Sequence, residues 1–551
     1  MELEQISPRS LGVPHDEWRP NQLSAYENVI NMWKSGGGFV FNELVTGSGK
    51  SALATALGHH DNVLVLVQTL GLLEQYEREY GFTIIKGRQE YPCVHEQKVR
   101  VWQHSYHKIP TARDCHLKNM HKCAFSNECP YLQAKKEIAD ARRAACTYKY
   151  ALLSDDMINR SGFLVMDEAH ISAEEILSFS EFVLRGEQLK QYKFPPCPIQ
   201  SYGSDGMGDL IEEVDRAILL KWFAEMESIV GVQDGLFDYT SREFSSKKTM
   251  GEYLQLGVEL LQESEQIFLF VGKPKRSGMW WETESNYLER DSYFVIKPLS
   301  VDMIARRLWS NKHTTVLMSA TIGEPSPLAK ELGIEQYKSY SYPHPIPADK
   351  RPIYDLGMEK MTHKNLDQNP SLYTLQAIVI WNFIKKLDPT WRGVILTTSY
   401  SKVNKLRTFL QERFGKRIFM PKDKEQGVTQ RIASFLEDKR DGRIAIDTIQ
   451  GWGTGLDLRG DLARFAIIAG VPHSNPSDKY DMARVNRDGG RKYALWKSAN
   501  AVVQASGRVS RGEIDNGDYM LNISALADGS CTSPSLMTFY PKWYKEAIIK
   551  L

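Results

Sequence analysis

Glycines, a lysine and a serine lie close together in the stretch FVFNELVTGSGKSALATAL, residues 39–57. An apolar, strand-like run precedes them and a helix-forming run follows, which is the setting of a phosphate-binding loop. In such a loop, backbone N–H groups surround the phosphates, the lysine reaches the β- and γ-phosphate oxygens, and the serine ligates Mg²⁺. A glycine turn that merely caps a helix is the alternative. We predict that the following residues form a nucleotide site: Thr46, Gly47, Ser48, Gly49, Lys50 and Ser51.

Two adjacent acids end a second apolar run, GFLVMDEAH, residues 162–170. Asp167 is placed to hold Mg²⁺, and Glu168 is placed to orient or deprotonate the water that attacks the γ-phosphate. Paired acids at this position also suit the N-terminus of a helix, where the helix dipole favours them. The phosphate-binding loop in the same chain favours the catalytic interpretation.

Positive charge that could stabilise the negative charge developing on the γ-phosphate is available in AVVQASGRVSRGE, residues 501–513. Arg508 and Arg511 lie one helical turn apart, and Gln504 lies one turn earlier. The guanidinium fork matches phosphate oxygens, and an arginine finger accelerates hydrolysis by about 10³ to 10⁵. A solvated helix face is the alternative. Because these side chains are far from Lys50 in sequence, we predict a site that is completed when two domains close, which couples hydrolysis to motion.

Four of the seven cysteines fall within a span of 37 residues: Cys93, Cys115, Cys123 and Cys129. Their gaps of 21, 7 and 5 residues fit the closely spaced pairs of structural zinc sites poorly. Four loosely spaced thiolates with a closing Cys-Pro suit a [4Fe–4S] cluster better, while zinc and free buried cysteines remain open. We assign the three isolated cysteines to packing: Cys146, Cys197 and Cys531.

The elements that position these residues alternate between short aliphatic runs and helix-like runs, both early in the chain and after residue 390. Buried parallel strands have this texture because helices cover both faces of their sheet. We therefore predict an α/β protein with two such domains. Residues 175–300 differ, since they are rich in helical periodicity, and we expect a helical insertion there.

Charge is unevenly distributed although the formal net charge of the 551 residues is only +1. Residues 86–143 hold 12 Lys and Arg against 6 Asp and Glu, whereas residues 174–300 hold 13 against 22. The basic segment suits phosphate binding, and two solvated faces are the plainer interpretation. No apolar run approaches the roughly 20 residues that span a bilayer, and the start lacks the pattern of a signal peptide. We expect no membrane partner and a cytoplasmic protein, nucleoid-associated in a prokaryotic or viral setting.

With these residues assembled, the chain resembles superfamily 2 DNA helicases of the XPD/DinG branch. The matching stretches occur in the family's order: RPNQ, VTGSGKS, VLVQTLGLLEQYERE, DEAH, VLMSATIG, VILTTSYSKV, DTIQGWGTGLDL and QASGRVSR. The resemblance implies two RecA-like domains, an iron–sulfur insertion and a helical Arch-like insertion in the first domain, and ATP-driven 5′ to 3′ movement on single-stranded DNA. The implied partners are single-stranded DNA and forked or tailed duplexes, and the implied state is a monomer.

The resemblance also assigns domains and contacts. RecA-like domain 1 would comprise 1–85, 146–174 and 301–325, interrupted by the iron–sulfur insertion at 86–145 and the Arch-like insertion at 175–300, and RecA-like domain 2 would span 326–551. Gln22, Gly455 and Asp457 would contact the nucleotide. The implied DNA contacts are Thr69, Gln75, Thr398, Ser399 and Thr448. Tyr148, Tyr150 and Trp452 are candidates for base stacking and equally for the core.

Two positions depart from the family pattern. Leu44 stands where the loop usually has a small residue, and Thr454 stands where this branch often has an acid. Two other functions remain open: a translocase that strips proteins or acts on RNA hybrids without separating duplex DNA, and a redox-responsive binding protein that uses ATP as a switch. An intact Glu168 and the paired arginines favour hydrolysis over the switch.

Overall fold

The structure is a computed structural model, and it describes residues 6–45, 47–95, 99–100, 103–104, 109–115, 123–199, 208–233, 250–274, 281–282, 293–421, 427–452, 458, 460–509 and 521–551. Within these ranges, no helix combines the length and the apolar character that crossing a membrane requires.

Eighteen strands are formed by the described residues, and they assemble into three sheets. In chain order they are β1 (Gly38–Glu43), β2 (Val63–Val67), β3 (Thr83–Ile85), β4 (Arg143–Thr147), β5 (Phe163–Asp167), β6 (Phe182–Arg185), β7 (Asp209–Leu210), β8 (Ile267–Pro274), β9 (Trp281–Glu282), β10 (Tyr293–Pro298), β11 (Thr314–Ser319), β12 (Lys338–Ser341), β13 (Ile353–Asp355), β14 (Gly393–Thr397), β15 (Ile444–Thr448), β16 (Phe465–Ile468), β17 (Ile523–Leu526) and β18 (Ile548–Lys550).

Two of the sheets are wholly parallel, as predicted. The first has seven strands in the order β12-β1-β11-β5-β2-β4-β3. The second has six in the order β15-β14-β16-β17-β13-β18. Every side chain of β2, sequence VLVLV, is buried because helices cover both faces of the sheet. The predicted α/β class with two domains is confirmed.

Helices cover these sheets and occupy the segments between them. In chain order they span Gln22–Lys34, Lys50–Leu57, Leu70–Tyr80, Pro130–Asp140, Tyr148–Leu152, Asp155–Ile158, Ser172–Leu177, Gly186–Gln191, Glu213–Gln233, Met250–Glu263, Asp302–Trp309, Ser326–Glu331, His363–Gln368, Leu372–Ile384, Tyr400–Phe414, Val428–Glu437, Ile449–Trp452, Lys479–Asn486, Gly490–Ser506, Pro534–Met537 and Lys542–Lys545.

The insertion at 175–300 is only partly helical, so the prediction of a helical domain was wrong in this respect. Its two long helices, Glu213–Gln233 and Met250–Glu263, pack against an antiparallel sheet in the order β6-β10-β8-β7, with β9 paired to β8. The sheet strands carry aromatic and β-branched residues, as in IFLFVGKP of β8, which favour a pleated, half-buried surface. The helical periodicity of the two long segments concealed these shorter runs.

The segment at 86–145 contributes short elements in its described parts. They are the 3₁₀ turns Arg88–Glu90, Ala112–Asp114 and Ser126–Glu128, followed by the helix Pro130–Asp140. An isolated bridge between Pro92 and Thr111 holds two of its arms together.

The first sheet extends past the predicted boundary at residue 325, which therefore needs correction. β12, residues 338–341, pairs in parallel with β1, the strand that precedes the phosphate-binding loop. Likewise β4 begins at Arg143, two residues before the predicted end of the iron–sulfur insertion. The chain then passes from β12 to β13 through YPHPIPADKRP, which carries four prolines. This linker, residues 342–352, joins the two parallel sheets.

Candidate nucleotide site

The carboxyl ends of neighbouring strands bring the predicted catalytic residues to one edge of the first sheet. β1, β11 and β5 are adjacent and parallel. They lead into the loop before Lys50, into Thr321 and into Glu168, respectively. Because parallel strands end on the same side, these three stretches meet without any need for sequence proximity.

The phosphate-binding loop connects β1 to the helix that begins at Lys50. Gly49 adopts a φ of +79°, and a Cβ there would lie 1.9 Å from the Gln22 amide nitrogen, so only glycine fits. Gln22 donates through Nε2 to the Gly49 carbonyl at 3.1 Å and accepts from the Arg19 N–H at 2.8 Å. Arg19 in turn donates through Nη1 to the Gly47 carbonyl at 2.8 Å. The segment before the first helix thereby fixes the shape of the loop.

Lys50 and the paired acids face one another across the edge. The Lys50 Nζ lies 3.5 Å from a Glu168 carboxylate oxygen, and the Lys50 side chain is only 9% exposed. Glu168 itself adopts a left-handed backbone, with φ of +51°, a conformation that few non-glycine residues adopt and that concentrates at functional sites. This arrangement places the candidate base beside the candidate phosphate ligand.

Asp167 lies beneath Glu168 and is held by a tyrosine that the sequence did not reveal. Burial raises the pKa of the Asp167 carboxyl, and the charge of Lys50 opposes this rise. The Tyr76 hydroxyl donates to Asp167 Oδ2 at 2.9 Å, and Tyr76 is fully buried. It also hydrogen-bonds the Ser51 side chain, so one hydroxyl contacts both predicted Mg²⁺ ligands. Tyr148 donates to the backbone carbonyl of Asp167 at 3.0 Å.

A chain of polar contacts runs from Glu168 toward the second domain. The His170 Nδ1 lies 3.3 Å from a Glu168 oxygen and 2.8 Å from the Ser319 hydroxyl. The Ser319 hydroxyl accepts from the Thr321 N–H at 3.3 Å. The next contacts cross between the domains.

On the second domain, Gln504 and Arg508 continue this chain from the helix Gly490–Ser506 and the turn that follows it. Gln504 donates through Nε2 to the Thr321 hydroxyl at 2.8 Å, and Arg508 Nη2 lies 3.4 Å from Gln504 Oε1. A cavity of about 40 Å³ next to these residues is lined by both domains, including Val45 at the start of the loop. Arg508 is thus connected to Lys50 through a series of direct polar contacts, one of which uses the backbone N–H of Thr321. Four predicted nucleotide-site residues lie outside the described residues: Thr46, Gly455, Asp457 and Arg511.

An ionic cluster with a buried centre, formed by Arg484, Arg487 and Glu331, ties the same two domains together beside the site, and sequence reasoning missed it. Arg484, from the helix Lys479–Asn486, donates to Glu174 and to Glu331 at 3.0 Å each. Arg487 also contacts Glu331, which is 1% exposed. Glu174 further accepts from Lys497 at 2.9 Å. Burial alone would raise the pKa of Glu174, but the charges of Arg484 and Lys497 outweigh it and hold this pKa at about 2.

The cluster reaches two further parts of the molecule. Glu174 lies in the helix Ser172–Leu177, directly after the acids of β5, whereas Glu331 lies in the helix Ser326–Glu331. Arg484 Nε also donates to the Leu299 carbonyl at 3.3 Å, at the base of the 175–300 insertion. One guanidinium of the second domain therefore contacts two helices of the first domain and the base of the insertion.

Four of the five predicted DNA contacts lie at or just after the carboxyl ends of strands, and three of these four cap helices. Thr69, Ser399 and Thr448 accept hydrogen bonds from backbone N–H groups three residues ahead, at 3.2 to 3.3 Å. Thr69 and Ser399 are exposed, whereas Thr448 is buried. Gln75 donates to Glu79 at 2.9 Å on an exposed helix face, and Thr398 is half-buried.

The aromatic residues that were candidates for base stacking belong to the core instead. Tyr148 and Trp452 are 1% and 2% exposed. Tyr150 packs against the main core, and its hydroxyl lies 3.4 Å from that of Tyr131. The Tyr148 and Trp452 rings therefore present no face on which a base could stack, whereas Tyr150 is partly exposed.

The cysteines divide by burial as the sequence predicted. Burial raises the pKa of the packed thiols, to about 12 for Cys146 and Cys197 and well above its ordinary value for Cys531. The four grouped thiols are all partly exposed: Cys93, Cys115, Cys123 and Cys129.

Local backbone structure is defined around the four grouped cysteines. The Cys93 N–H donates to the Pro110 carbonyl at 2.8 Å, and a single 3₁₀ turn separates Cys123 from Cys129. Among the residues that the structure describes, however, no three His, Cys, Asp or Glu side chains come within metal-ligating reach of one another. The donor set suits an iron–sulfur cluster chemically, but the structure does not assemble it into a ligand group.

Comparisons with known proteins agree with this arrangement. Residues 15–194 match the family described as type III restriction enzyme, res subunit, and residues 380–546 match the helicase C-terminal domain family. The chain is 21% identical to the ATP-dependent DNA helicase DinG of Photobacterium profundum, over 87% of this chain and 88% of that protein.

Solved structures with the same fold include an XPD helicase, with a TM-score of 0.56 at 15% identity over 98% of this chain and all of that one. An Xpd protein of S. tokodaii gives a TM-score of 0.52 at 13% identity over 96% and 99% of the two chains. Two RecA-like domains that share a nucleotide site define an ATP-dependent DNA helicase. Among such helicases, the chain is similar to the DinG protein in sequence and to the XPD proteins in fold.

Proposed function

We propose that this helicase hydrolyses Mg·ATP to move 5′ to 3′ along single-stranded DNA and to separate tailed or forked duplexes, acting as a monomer in the cytoplasm or on the nucleoid. The observation that carries the proposal is the series of direct polar contacts from Lys50 on the first domain to Arg508 on the second. Such a connection lets the state of the γ-phosphate set the position of one domain relative to the other.

The chemistry follows from the positions of the groups. Lys50 would bind the β- and γ-phosphates, while Ser51 and Asp167 would hold Mg²⁺. Glu168, kept in place by His170, would orient the attacking water. Arg508, together with Arg511 and Gln504, would neutralise charge on the transferred phosphoryl group. When the γ-phosphate leaves after hydrolysis, the two domains would move apart, and the DNA strand bound between them would advance.

The test is a comparison of Glu168→Gln with the wild-type protein. We expect the amide to bind ATP normally but to lower kcat by about 10² to 10³, since a neutral amide cannot accept the proton. The matched control is Glu175→Gln. Glu175 lies in the helix Ser172–Leu177, and its carboxylate accepts a hydrogen bond from the Gln68 amide at 3.1 Å. ATP turnover with and without single-stranded DNA would be measured for all three proteins.

Strand displacement on duplexes with 5′ or 3′ tails tests polarity. Displacement of the 5′-tailed substrate alone is the expected result. Preference for the 3′ tail would contradict the proposal, and DNA-stimulated hydrolysis without displacement would favour a translocase that does not unwind. ATP hydrolysis that does not respond to DNA would contradict the proposal that this protein is a DNA motor.

We further propose that the four partly exposed thiols bind a [4Fe–4S] cluster, which stiffens a segment with few apolar residues of its own. Cys115→Ser should lose iron and the brown absorbance and should abolish unwinding, while ATP binding is retained. Cys197→Ala, which removes a buried thiol outside the group, should keep full iron content. Unwinding at wild-type rate by an iron-free Cys115→Ser protein would contradict this proposal.

The DNA path in this proposal follows the carboxyl ends of the strands. Thr69 and Gln75 on the first domain, and Thr398, Ser399 and Thr448 on the second, would hold phosphate oxygens without reading sequence. The exposed hydroxyls of Thr69 and Ser399 support this path, whereas the Thr448 side chain is buried and caps the helix Ile449–Trp452.

A further inference from the structure

A strongly basic surface lies on the second domain, away from the nucleotide site. Residues 372–417 contain nine Lys and Arg against two Asp and Glu, in a chain whose formal net charge is +1. Arg392, Arg407 and Arg417 donate to backbone carbonyls and do not contribute to this surface. The remaining basic residues lie on or beside two helices, Leu372–Ile384 and Tyr400–Phe414.

The two helices pack side by side and arrange their cations over aromatic rings. The Lys405 ammonium lies 3.9 Å from the centre of the Tyr373 ring. Eight residues further along both helices, the Lys385 ammonium lies 4.4 Å from the centre of the Trp381 ring. The Arg413 guanidinium lies 5.7 Å from the same ring and 3.4 Å from the centre of the Phe409 ring, and it is 3.5 Å from a Glu412 oxygen. We call the surface formed by Tyr373, Trp381, Lys385, Lys405 and Arg413 the cationic face.

The spacing of the cationic face follows from helix geometry. Eight residues correspond to about 12 Å along a helix axis, which is close to the width of the major groove of DNA, about 12 Å. Each cation–π contact at an exposed site is worth about 0.5 to 1 kcal/mol. These contacts hold flexible side chains in fixed positions, so less conformational entropy is lost when the cations meet a polyanion.

The rings themselves are unsuited to stacking bases. Lys405 covers the Tyr373 ring, and Lys385 and Arg413 cover the Trp381 ring. Single strands gain affinity from bases stacked on free aromatic faces, whereas a duplex offers only its phosphates and grooves. The cationic face thus presents charge without a stacking surface, and this combination favours a duplex.

The position of the face relates it to the DNA path. The helix that carries Lys405 and Arg413 begins at Ser399, which caps it. Lys405 is therefore about 9 Å along the helix from the proposed strand contact, at 1.5 Å per residue. Resting on the proposed function, we infer that the cationic face binds the phosphate backbone of the duplex that adjoins the single strand held by the motor.

The test is Lys385→Gln, Lys405→Gln and Arg413→Gln combined in one protein. Binding of a tailed duplex and of its single-stranded tail alone would be measured between 50 and 300 mM salt, roughly the range in which phosphate contacts are resolved. For the tailed duplex, we expect the slope of log K against log salt to become shallower by about 2 to 3, near 0.9 per lost contact. Binding of the tail and hydrolysis stimulated by it should stay unchanged.

Two control proteins keep the test decisive. Lys338→Gln, Lys360→Gln and Lys364→Gln combined, at positions exposed elsewhere, remove the same charge and should leave the slope unaltered. Replacing each lysine of the cationic face by arginine and its arginine by lysine should preserve the slope of the wild-type protein. An unchanged slope for the glutamine variant of the face, or an equal loss for the tail alone, would overturn the inference. Failure of the wild-type protein to bind the tail would instead count against the proposed function.

Discussion

Replacing Arg484 by glutamine removes the centre of the buried ionic cluster. The guanidinium is shared between Glu174 and Glu331, with hydrogen bonds of 3.0 Å to each. Glutamine keeps much of the volume but carries no charge and cannot reach both carboxylates. The variant therefore tests whether this cluster fixes the second domain against the ATPase sheet.

The magnitude can be worked from the remaining partners. Removal of one member of a buried ion pair costs about 3 to 5 kcal/mol, because the other charge stays buried without compensation. Glu331 keeps Arg487, and Glu174 keeps Lys497, so we expect the lower end, about 3 kcal/mol. At about 2 to 4 °C per kcal/mol for a domain of this size, the melting transition should fall by about 6 to 12 °C.

Scanning calorimetry of the wild-type protein and the variant measures this shift, and DNA-stimulated ATP turnover measures the functional loss. Arg440→Gln provides a matched control, since Arg440 also bonds a carboxylate, Asp438 at 2.7 Å, but its side chain is 67% exposed. Because Arg440 is exposed and Asp438 keeps Arg443 at 2.8 Å, the control should melt close to the wild-type protein. Equal melting shifts in Arg484→Gln and Arg440→Gln would refute the reasoning, as would full ATP turnover after loss of Arg484.

The remaining predictions concern stability at acidic pH and the residues proposed to bind Mg²⁺. Because the pKa of Glu174 is about 2 in the folded protein and ordinarily 4.5, its stabilising contribution is complete above about pH 4.5 and is lost as the pH falls toward 2. The difference in urea midpoint between wild type and Glu174→Gln should shrink over that window, whereas Glu175→Gln should show no comparable trend; a constant difference would contradict the assignment. Tyr76→Phe should lower kcat about tenfold and raise the Mg²⁺ requirement, since a lost hydrogen bond to a buried carboxylate costs about 1 to 3 kcal/mol. Tyr80→Phe, one turn along the same helix, should leave both values near wild type, and equal effects of the two would exclude a specific role for Tyr76.

Local patterns predicted the elements that carry the nucleotide site. Lys50 and Asp167 follow apolar strands whose ends must share an edge in a parallel sheet, so their proximity could be expected from β-strand patterning and the motifs alone. The burial of Cys146 was likewise predictable from its isolation. These features depend on short stretches of sequence, which is why they were accessible.

Features that depend on long-range packing could not be predicted from the sequence. Tyr76 lies in a helix with many polar neighbours, and only the folded structure turns its hydroxyl toward Asp167. The Glu174 and Arg484 partners are separated by 310 residues. The strands of the 175–300 insertion were missed because two long amphipathic helices dominate its periodicity.

The linker between the two sheets connects directly to the strand that carries the phosphate-binding loop. β12 pairs with β1, and the Glu43 carboxylate at the end of β1 accepts from the Ser341 hydroxyl at 2.7 Å and from the Gly323 N–H. Four prolines stiffen the residues that follow. A small tilt of β1 would therefore rotate the second domain, because the stiff linker transmits the motion. Flexible glycines inserted after residue 342 would leave a protein that still hydrolyses ATP but no longer converts hydrolysis into domain movement.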